Sequence, residues 1–359
     1  MSAERIFLSP PCVGAEERAA VAAAFDSNYV APCGPMVDAF ERSLAERAGR
    51  RFAVAVSGGT AAIDLAMAEF GVDSSWIVFA PTLTFIATVG PAYHRGARLV
   101  FVDAVADGNV DTELLAEAFA AHPGARRMFI GVDLYGRCAD HARIAELCRG
   151  NDVVFVNDAA EAVGATSSGE SSAKAGEIAI WSFNGNKIIT TSGGGALLTD
   201  DAGIAARAKK ASQQSREPFP WYEHAEVGYN YRLSNLLGAV GLAQLAKLDR
   251  FIARRAEIKA FYRANLRGFE FIPDVPGENH WLTVALAKDS AARDAALAAL
   301  AKADIESRPV WKPMHLQPVF AGCPVFGGAV SESLFSRGLC LPSGSGMTDE
   351  DLSRVVRSL

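Results

Sequence analysis

The sequence predicts an α/β protein, with a mostly parallel sheet in a large domain at residues 1–245 and a smaller α/β domain at residues 246–359. Two observations lead to this fold class. Between about residues 50 and 200, short apolar runs alternate with longer helical segments, and such alternation is typical of parallel sheets with right-handed crossovers. Several of the runs are apolar at every residue, as expected for strands covered on both faces.

Each strand and helix of the large domain follows from a local pattern. The predicted strands are rich in Val, Ile and Phe and are bounded by Gly, Asp or Pro; they are 52–56, 76–80, 98–102, 128–132, 153–156 and 177–183. The predicted helices are 60–70, 112–121 and 140–148. Because ligands of open α/β sheets bind at the carboxyl ends of the strands, residues that follow these strands are the first candidates for a site.

The C-terminal part has a different organisation. Residues 241–266 form a long stretch with Lys, Arg, Glu and Asp on its polar side, and we predict one connecting helix there. Residues 267–359 mix short strands and helices, with a strand at 281–287 and a helix at 291–302. We therefore expect a smaller domain after the connecting helix.

Composition excludes several classes of protein. The net charge of −6 and the pI near 5.6 do not fit a nucleic-acid binder. No apolar run reaches the roughly 18 residues of a transmembrane helix, and the N-terminus lacks the basic start and apolar stretch of a signal peptide. The six cysteines contain no C-x-x-C pair, so we expect free thiols and no metal site. A cytoplasmic location is the default expectation.

Lys187 is the first candidate for catalysis. It follows a predicted strand and precedes a glycine run, and no other charged residue lies between Glu177 and Asp200. A lysine in a dry site can lose its proton and attack an aldehyde, and glycines let the backbone pass close to a ligand. Taken alone, Lys187 could equally be a loop lysine before a glycine hairpin.

Two partners strengthen this interpretation. Asp158 ends an apolar strand, where its carboxylate could keep the ring nitrogen of pyridoxal phosphate (PLP) protonated; the alternative is an Asp that caps the next turn. The turn from Ser57 to Thr60 joins a strand to a helix start, and free N–H groups there suit a phosphate. It matches neither the Walker nor the dinucleotide pattern. Fold-type I PLP enzymes, whose type example is aspartate aminotransferase, have the same order along the chain. In them a phosphate turn comes first, then an Asp at a strand end, and then a lysine followed by glycines.

Longer motifs make the resemblance specific. The sequence resembles the DegT/DnrJ/EryC1/StrS sugar-nucleotide aminotransferases over nearly the whole chain. The motifs are Gly34-Pro35 with Phe40-Glu41, Thr84-Phe85-Ile-Ala-Thr88, Leu134-Tyr-Gly136, Asp158-Ala-Ala-Glu161, Ser182-Phe-Asn-Gly-Asn-Lys187 and Gly228-Tyr-Asn-Tyr-Arg-Leu-Ser-Asn235. It is most similar to bacterial transaminases that make UDP-4-amino-4,6-dideoxy-N-acetyl-D-glucosamine, of the bacillosamine pathway type. The segments are Phe7-Leu-Ser-Pro-Pro11, Ser27-Asn-Tyr-Val-Ala-Pro32, Lys187-Ile-Ile-Thr-Thr-Ser-Gly-Gly-Gly195, Arg308-Pro-Val-Trp-Lys-Pro-Met-His315 and Cys340-Leu-Pro-Ser-Gly344.

The resemblance implies a role for each matching residue around the cofactor ring. Lys187 binds the cofactor covalently and later moves a proton between cofactor and sugar. Asp158 pairs with the ring nitrogen, Phe85 stacks on the ring, and Glu161 lies near the ring hydroxyl.

The resemblance also implies how the phosphate is held. Gly59, Thr60 and Ser182 bind it, and Asn230 reaches the phosphate of the neighbouring subunit, so a homodimer with shared active sites is implied. The chain departs from the family at Gly58, where a serine is common, so backbone N–H groups must do more of the binding.

Three further residues are substrate candidates, and two of them have an alternative. Trp311 and His315 lie in the segment where we expect substrate contacts, although His315 could be a surface histidine. Arg232 could bind a carboxylate or phosphate, or form a structural salt bridge.

The implied reaction is a transamination from L-glutamate to the C4 ketone of UDP-2-acetamido-2,6-dideoxy-hexos-4-ulose. The product is a UDP-4-amino-4,6-dideoxy-N-acetylhexosamine. Two alternatives stay open: the same chemistry on a GDP- or dTDP-linked 4-keto-6-deoxy sugar, and a non-catalytic PLP-binding regulatory protein.

Overall fold

A computed structural model describes residues 4–124 and 126–359. Within these residues the strands are, in chain order, β1 (Phe52–Val56), β2 (Ile77–Pro81), β3 (Arg98–Val102), β4 (Arg127–Val132), β5 (Val154–Asp158), β6 (Thr166–Ser167), β7 (Glu170–Ser171), β8 (Ile178–Ser182), β9 (Gly195–Thr199), β10 (Glu270–Phe271), β11 (Thr283–Leu286), β12 (Arg308–Pro309), β13 (Val325–Phe326) and β14 (Gly338–Leu341). The six strands predicted in the large domain are confirmed to within two residues at either end.

These strands form two main sheets, and β6 with β7 forms a short separate pair. The large sheet has eight strands in the order β1-β9-β8-β5-β4-β2-β3-β13. From β8 to β13 every pairing is parallel, whereas β9 runs antiparallel to both β8 and β1. The predicted mostly parallel sheet is thus confirmed, and β9 and β13 are additions to it.

The helices of the described residues are α1 (Ala15–Asp26), α2 (Pro35–Ala48), α3 (Gly59–Glu69), α4 (Gly90–His94), α5 (Thr112–Ala121), α6 (His141–Gly150), α7 (Ala202–Ser212), α8 (Asn235–Leu245), α9 (Leu248–Asn265), α10 (Ser290–Lys302), α11 (Ala329–Arg337) and α12 (Asp349–Arg357). Predicted helices 60–70, 112–121 and 140–148 correspond to α3, α5 and α6. None of the described helices combines the length and the apolar character that crossing a membrane requires.

The single connecting helix predicted at 241–266 is wrong, because the helical structure is interrupted between α8 and α9. Helix α8 lies so close to α2 that a Cβ on Gly238 would come within 2.7 Å of the Val37 Cα. Helix α9 instead buries Ile258 and Tyr262 in a cluster with the second sheet. The start of α9 still packs in the cluster that contains α2, so only its C-terminal half turns to the second sheet.

The second sheet has four strands in the order β10-β11-β14-β12, all antiparallel. All four lie within the predicted small domain. However, β13 comes from the same part of the sequence and pairs with β3 of the large sheet. The domain boundary at residue 245 stays a prediction.

The topology places several strand ends at one edge of the large sheet. Asp158 is the last residue of β5 and pairs with Ile180 of β8 and Val132 of β4. Ser182 ends β8. Apolar clusters bury both faces of the sheet. Polar side chains at this edge therefore lie next to an apolar core.

Candidate active site

Lys187 lies in the loop that follows β8 and points inward. Ile188 and Ile189 are buried and anchor the loop, and the Lys187 backbone N–H donates to the Asn184 carbonyl oxygen at 3.0 Å. The side chain is 12% exposed, and its Nζ lies 3.2 Å from Glu161 Oε1. A lone lysine held in a shielded position against a buried carboxylate agrees with the sequence prediction of a lysine in a dry site.

The carboxylate of Asp158 is fixed by two hydrogen bonds. Thr88 Oγ1 donates to Oδ2 at 2.7 Å, and the Ala160 N–H donates to Oδ1 at 3.2 Å. Thr84 lies 2.8 Å from Thr88 through their hydroxyl oxygens and can donate in turn. Burial raises the pKa of Asp158, while the Thr88 hydrogen bond and the charge of Lys187 oppose that rise.

Glu161 joins this group from the turn after β5. Its Oε1 faces Lys187, and its Oε2 accepts a hydrogen bond of 2.7 Å from the backbone N–H of Tyr135. Tyr135 has a left-handed backbone with φ of 54°. Burial raises the pKa of Glu161, and the Lys187 charge acts in the opposite direction.

The start of α3 offers backbone N–H groups next to Ser182. Its capping position is Gly58, which carries no side chain, so the N–H groups of the first turn have neither a helical carbonyl nor a side-chain cap as partner. A Cβ on Gly59 would lie 3.1 Å from the Ser182 Cβ, and one on Gly195 would lie 2.5 Å from the Gly59 nitrogen. Glycine is therefore required at position 195, while a side chain at position 59 would make only a tight contact with Ser182.

These groups surround one cavity of about 770 Å³. Eight of the residues predicted from sequence line it: Gly59, Thr60, Phe85, Asp158, Glu161, Ser182, Lys187 and Trp311. Phe85 is 55% exposed, so it presents an apolar ring to the cavity. Its centroid lies 5.5 Å from that of Trp311.

Three predicted residues, Asn230, His315 and Arg232, lie outside the cavity of their own chain. Asn230 is exposed in the loop before α8. His315 is held between Thr82, 2.6 Å from Nδ1, and Glu332, 3.1 Å from Nε2. Both ring nitrogens are engaged in structural contacts, so the prediction of His315 as a substrate contact is not supported within the chain.

Arg232 forms a structural salt bridge, which is one of the two roles that the sequence left open. Its side chain is 2% exposed and pairs with Glu41, and with Asp38 at 3.4 Å. Its Nη1 also donates to the Ala55 carbonyl oxygen at 3.0 Å. The guanidinium is used in a structural salt bridge, so it is not free to bind substrate within its own chain.

The cavity contains residues that the sequence does not single out as functional. Trp281 contacts Lys187, Arg308 lies on the wall, and the segment from Phe7 to Pro11 forms another part of the lining. The sequence indicates Arg308 and Phe7 only as parts of similar segments. Trp281 follows no strand of the large sheet, so no local pattern indicates that it returns to the lysine.

A separate polar cluster lies at Asp133, Cys138 and His141, whose ligand-type atoms are all within 4.8 Å of one another. Hydrogen bonds to Asp133 from His141, Asn157 and the Ala139 N–H explain the grouping. Burial raises the pKa of the Cys138 thiol, which disfavours the thiolate that a metal requires. We assign the cluster a structural role.

Comparison with known proteins identifies the family. The model of the DegT/DnrJ/EryC1/StrS aminotransferase family matches residues 11–359. The chain belongs to this family. It is therefore an aminotransferase with PLP as its cofactor, as the sequence predicts, and the alternative of a non-catalytic regulatory protein is set aside.

Individual relatives of this aminotransferase cover almost its full length. EpsN of Bacillus subtilis (strain 168), named as a pyridoxal phosphate-dependent aminotransferase, is 41% identical over 99% of this chain and 95% of its own. GDP-perosamine synthase of Caulobacter vibrioides is 34% identical over 99% and 97%. The crystal structure of DesI in the presence of its TDP-sugar product is 28% identical, covers 99% of this chain and 92% of that one, and has a TM-score of 0.89.

The residues in the cavity fit PLP. Two buried carboxylates, Asp158 and Glu161, share a single lysine, so a protonated ring nitrogen would supply a missing positive charge. The ring of Phe85 offers an apolar face, and the uncapped start of α3 offers N–H donors to a phosphate.

Proposed function

We propose that this aminotransferase transfers the amino group of L-glutamate to the C4 ketone of UDP-2-acetamido-2,6-dideoxy-hexos-4-ulose. The product is a UDP-4-amino-4,6-dideoxy-N-acetylhexosamine. The observation that carries the proposal is the grouping of Lys187, Glu161 and Asp158 in the lining of a cavity large enough for a sugar. The names of the relatives, which include enzymes of sugar chemistry, support a sugar as amino acceptor.

When bound, PLP supplies a reactive aldehyde and a ring that stabilises negative charge on the carbon that loses its proton. Lys187 would bind the cofactor covalently. Once its amine is free, its Nζ would act as general base and acid, taking a proton from one carbon and returning it to another. Glu161, whose Oε1 lies 3.2 Å from Nζ, can hold the amine in reach and accept or return its proton.

The other residues would position the cofactor. Asp158 would accept a hydrogen bond from the ring nitrogen and keep it protonated, because Thr88 and the Ala160 N–H fix the carboxylate. Phe85 would stack on the ring. Gly59, Thr60 and Ser182 would bind the phosphate, in line with the uncapped start of α3.

Arg308 and Trp311 give the cavity groups that suit a nucleotide-linked sugar. Apart from Lys187, Arg308 is the one cation among the described residues that line the cavity, and a diphosphate needs such a partner. The Trp311 ring could pack against the sugar, as expected for a substrate contact. We propose Arg308 and Trp311 as acceptor-binding residues.

The experiment is a product assay with matched acceptors. Purified holoenzyme and L-glutamate are incubated with UDP-, GDP- or dTDP-linked 4-keto-6-deoxy sugars, and both 2-oxoglutarate and the amino sugar are measured by mass spectrometry. We expect kcat/KM for the UDP-linked N-acetyl sugar to exceed the others by about tenfold or more. A higher kcat/KM for another nucleotide would contradict the UDP assignment but leave the transaminase intact.

A second candidate is the same transfer to a GDP- or dTDP-linked 4-keto-6-deoxy sugar. The 34% identity to a GDP-perosamine synthase favours the GDP form, and the likeness to DesI with its TDP-sugar product favours the dTDP form. The homodimer with shared active sites and the cytoplasmic location are also part of the proposal.

A further inference from the structure

Trp281 lies directly against the catalytic lysine. The Lys187 Nζ is 4.3 Å from the centroid of the Trp281 ring and 3.2 Å from Glu161 Oε1. The indole is only 2% exposed, so the contact is shielded from water. An ammonium group over a shielded indole face is attracted by the ring quadrupole, and Trp gives the strongest such contact.

The ring is held in place by hydrogen bonds to the segment that carries the lysine. Its Nε1–H donates to the Asn186 carbonyl oxygen at 2.8 Å, and Asn186 is the residue before Lys187. Ser9 Oγ donates to the same oxygen at 2.8 Å. The indole therefore fixes the backbone next to Lys187 as well as contacting its amine.

The backbone of Trp281 is connected by hydrogen bonds to the segment that carries Glu161. Its backbone N–H donates to Asn279 Oδ1 at 2.9 Å, and Asn279 Nδ2 donates to the carbonyl oxygen of Glu161 at 2.7 Å. The ring also stacks on Tyr135 with centroids 6.2 Å apart, and the Tyr135 N–H binds Glu161. The Lys187 amine, the Glu161 carboxylate and the Trp281 indole are thus connected by one set of hydrogen bonds and ring contacts.

We propose that Trp281 is a positioning residue that holds the amine of Lys187 beside Glu161 whenever that amine is not covalently engaged. The inference rests on the proposed role of Lys187 but not on the identity of the sugar. A lysine side chain is a flexible four-carbon stem and would otherwise sample many directions. The indole face and Glu161 together restrict the directions in which the amine can point.

Two substitutions separate the contributions of the ring. Trp281→Phe keeps an aromatic face but removes the N–H that binds Asn186, whereas Trp281→Leu removes both. Trp76→Leu serves as the control, because Trp76 is also largely buried but lies in the core cluster around β2 and outside the cavity. Loss of a buried indole without contact to Lys187 should lower stability and leave catalysis unchanged.

The kinetic readout is the glutamate half-reaction in a single turnover, which requires no sugar and so is independent of the UDP assignment. We expect Trp281→Leu to lower the rate constant by about three- to thirtyfold with little change in apparent glutamate affinity. On a logarithmic scale, the rate constant of Trp281→Phe should lie at least halfway from that of Trp281→Leu to that of wild type. An unchanged rate in Trp281→Leu, or equal rates in the two variants, would overturn the proposal.

The structural readout uses cofactor-free crystals of the same variants. In the wild type and Trp281→Phe, the Nζ of Lys187 should stay within hydrogen-bond distance of Glu161, while in Trp281→Leu it should leave that position or become disordered. An amine that keeps its place in Trp281→Leu would overturn the positioning role. Because no cofactor or substrate is present, this readout stands even if the proposed reaction is wrong.

Discussion

At the scale of residues, the cavity places two buried carboxylates, Asp158 and Glu161, beside a single lysine. Burial raises the pKa of both Asp158 and Glu161. A carboxyl group whose pKa is raised on folding stabilises the fold below its unfolded pKa, and that contribution is lost as pH rises through the folded pKa. Without the cofactor, the ionised carboxylates therefore destabilise the fold, and a cationic group bound beside them would offset their charge.

Replacing Asp158 by Asn should make the cofactor-free protein relatively more stable as pH rises. The amide keeps the shape but cannot ionise, so the difference in melting temperature between Asp158→Asn and wild type should grow as pH rises above about 4, the unfolded pKa of Asp, until the raised folded pKa is passed. Thermal unfolding followed by circular dichroism measures it. Loss of the Asp158 charge also removes one cause of the raised pKa of Glu161, and this change acts in the same direction.

Asp200→Asn is the control with the opposite sign. Burial favours a higher pKa for Asp200, but hydrogen bonds from Lys174, the Arg51 N–H and Arg50 outweigh it and lower the pKa to about 2. The ionised group therefore stabilises the fold at neutral pH, and this contribution is lost as pH falls toward 2. Asp200→Asn should be less stable than wild type at pH 7. A pH-independent difference for Asp158→Asn would contradict the burial argument.

The residues that sequence can predict are those that follow strands. Lys187, Asp158 and Ser182 come after or at the end of apolar strands, and parallel topology brings such ends together. Trp281 and Arg232 cannot be assigned this way. The first reaches the lysine through tertiary contacts of a distant segment, and the role of the second depends on a partner, Glu41, in the distant helix α2.

At the scale of elements, the start of α3 is built from close backbone contacts. Gly195 of β9 lies against Gly59, where a Cβ would come within 2.5 Å of the Gly59 nitrogen. Gly58 is different, because a Cβ there meets nothing within 4 Å and its backbone is extended. The two positions form a matched pair of substitutions.

Gly195→Ala should weaken cofactor binding, while Gly58→Ser should not. The alanine methyl group forces β9 away from the first turn of α3, and we expect the Kd for PLP to rise by about tenfold or more. The serine adds a hydroxyl at an open position, so its Kd should equal or fall below that of wild type. Titration of cofactor-free proteins with PLP measures both. An unchanged Kd for PLP in Gly195→Ala would show that the close contact between Gly195 and Gly59 does not shape the phosphate site.

The elements that sequence predicts well have strong local signals. Strands such as β1 and β3 are apolar runs with clear ends, and α5 starts after Asp111, whose side chain caps it. Strand β9 lacks such a signal, because its apolar residues follow a glycine run with no helix between it and β8. The interruption between α8 and α9 has no local signal either, because neither Gly nor Pro stands at residues 246–247.

At the scale of the whole molecule, the loop before α8 exposes apolar rings that the proposed homodimer would cover. Phe219 and Trp221 stack with centroids 5.2 Å apart, yet they are 41% and 58% exposed. Asn230 lies in the same loop and outside the cavity of its own chain. These observations favour the proposed homodimer in which Asn230 reaches the neighbouring phosphate.

Hybrid dimers test that arrangement. Lys187→Ala and Asn230→Ala homodimers should each be impaired, but a mixed dimer has one site with both wild-type residues. After unfolding and refolding an equimolar mixture, activity should recover to about a quarter of wild type, because half of the dimers are mixed and each has one intact site. Recovery no greater than the sum of the parents would contradict sharing of the site.

The central claim is that Lys187 and its cavity carry out transamination, and the visible spectrum of the holoenzyme tests it most directly. L-Glutamate is added first and UDP-2-acetamido-2,6-dideoxy-hexos-4-ulose second, for wild type, Lys187→Ala and the control Lys174→Ala, whose lysine pairs with Asp200 away from the cavity. We predict that glutamate removes the band of the lysine-bound cofactor and the sugar restores it in wild type and Lys174→Ala, while Lys187→Ala lacks that band. A Lys187→Ala protein with the same band and the same response to both substrates would contradict the claim.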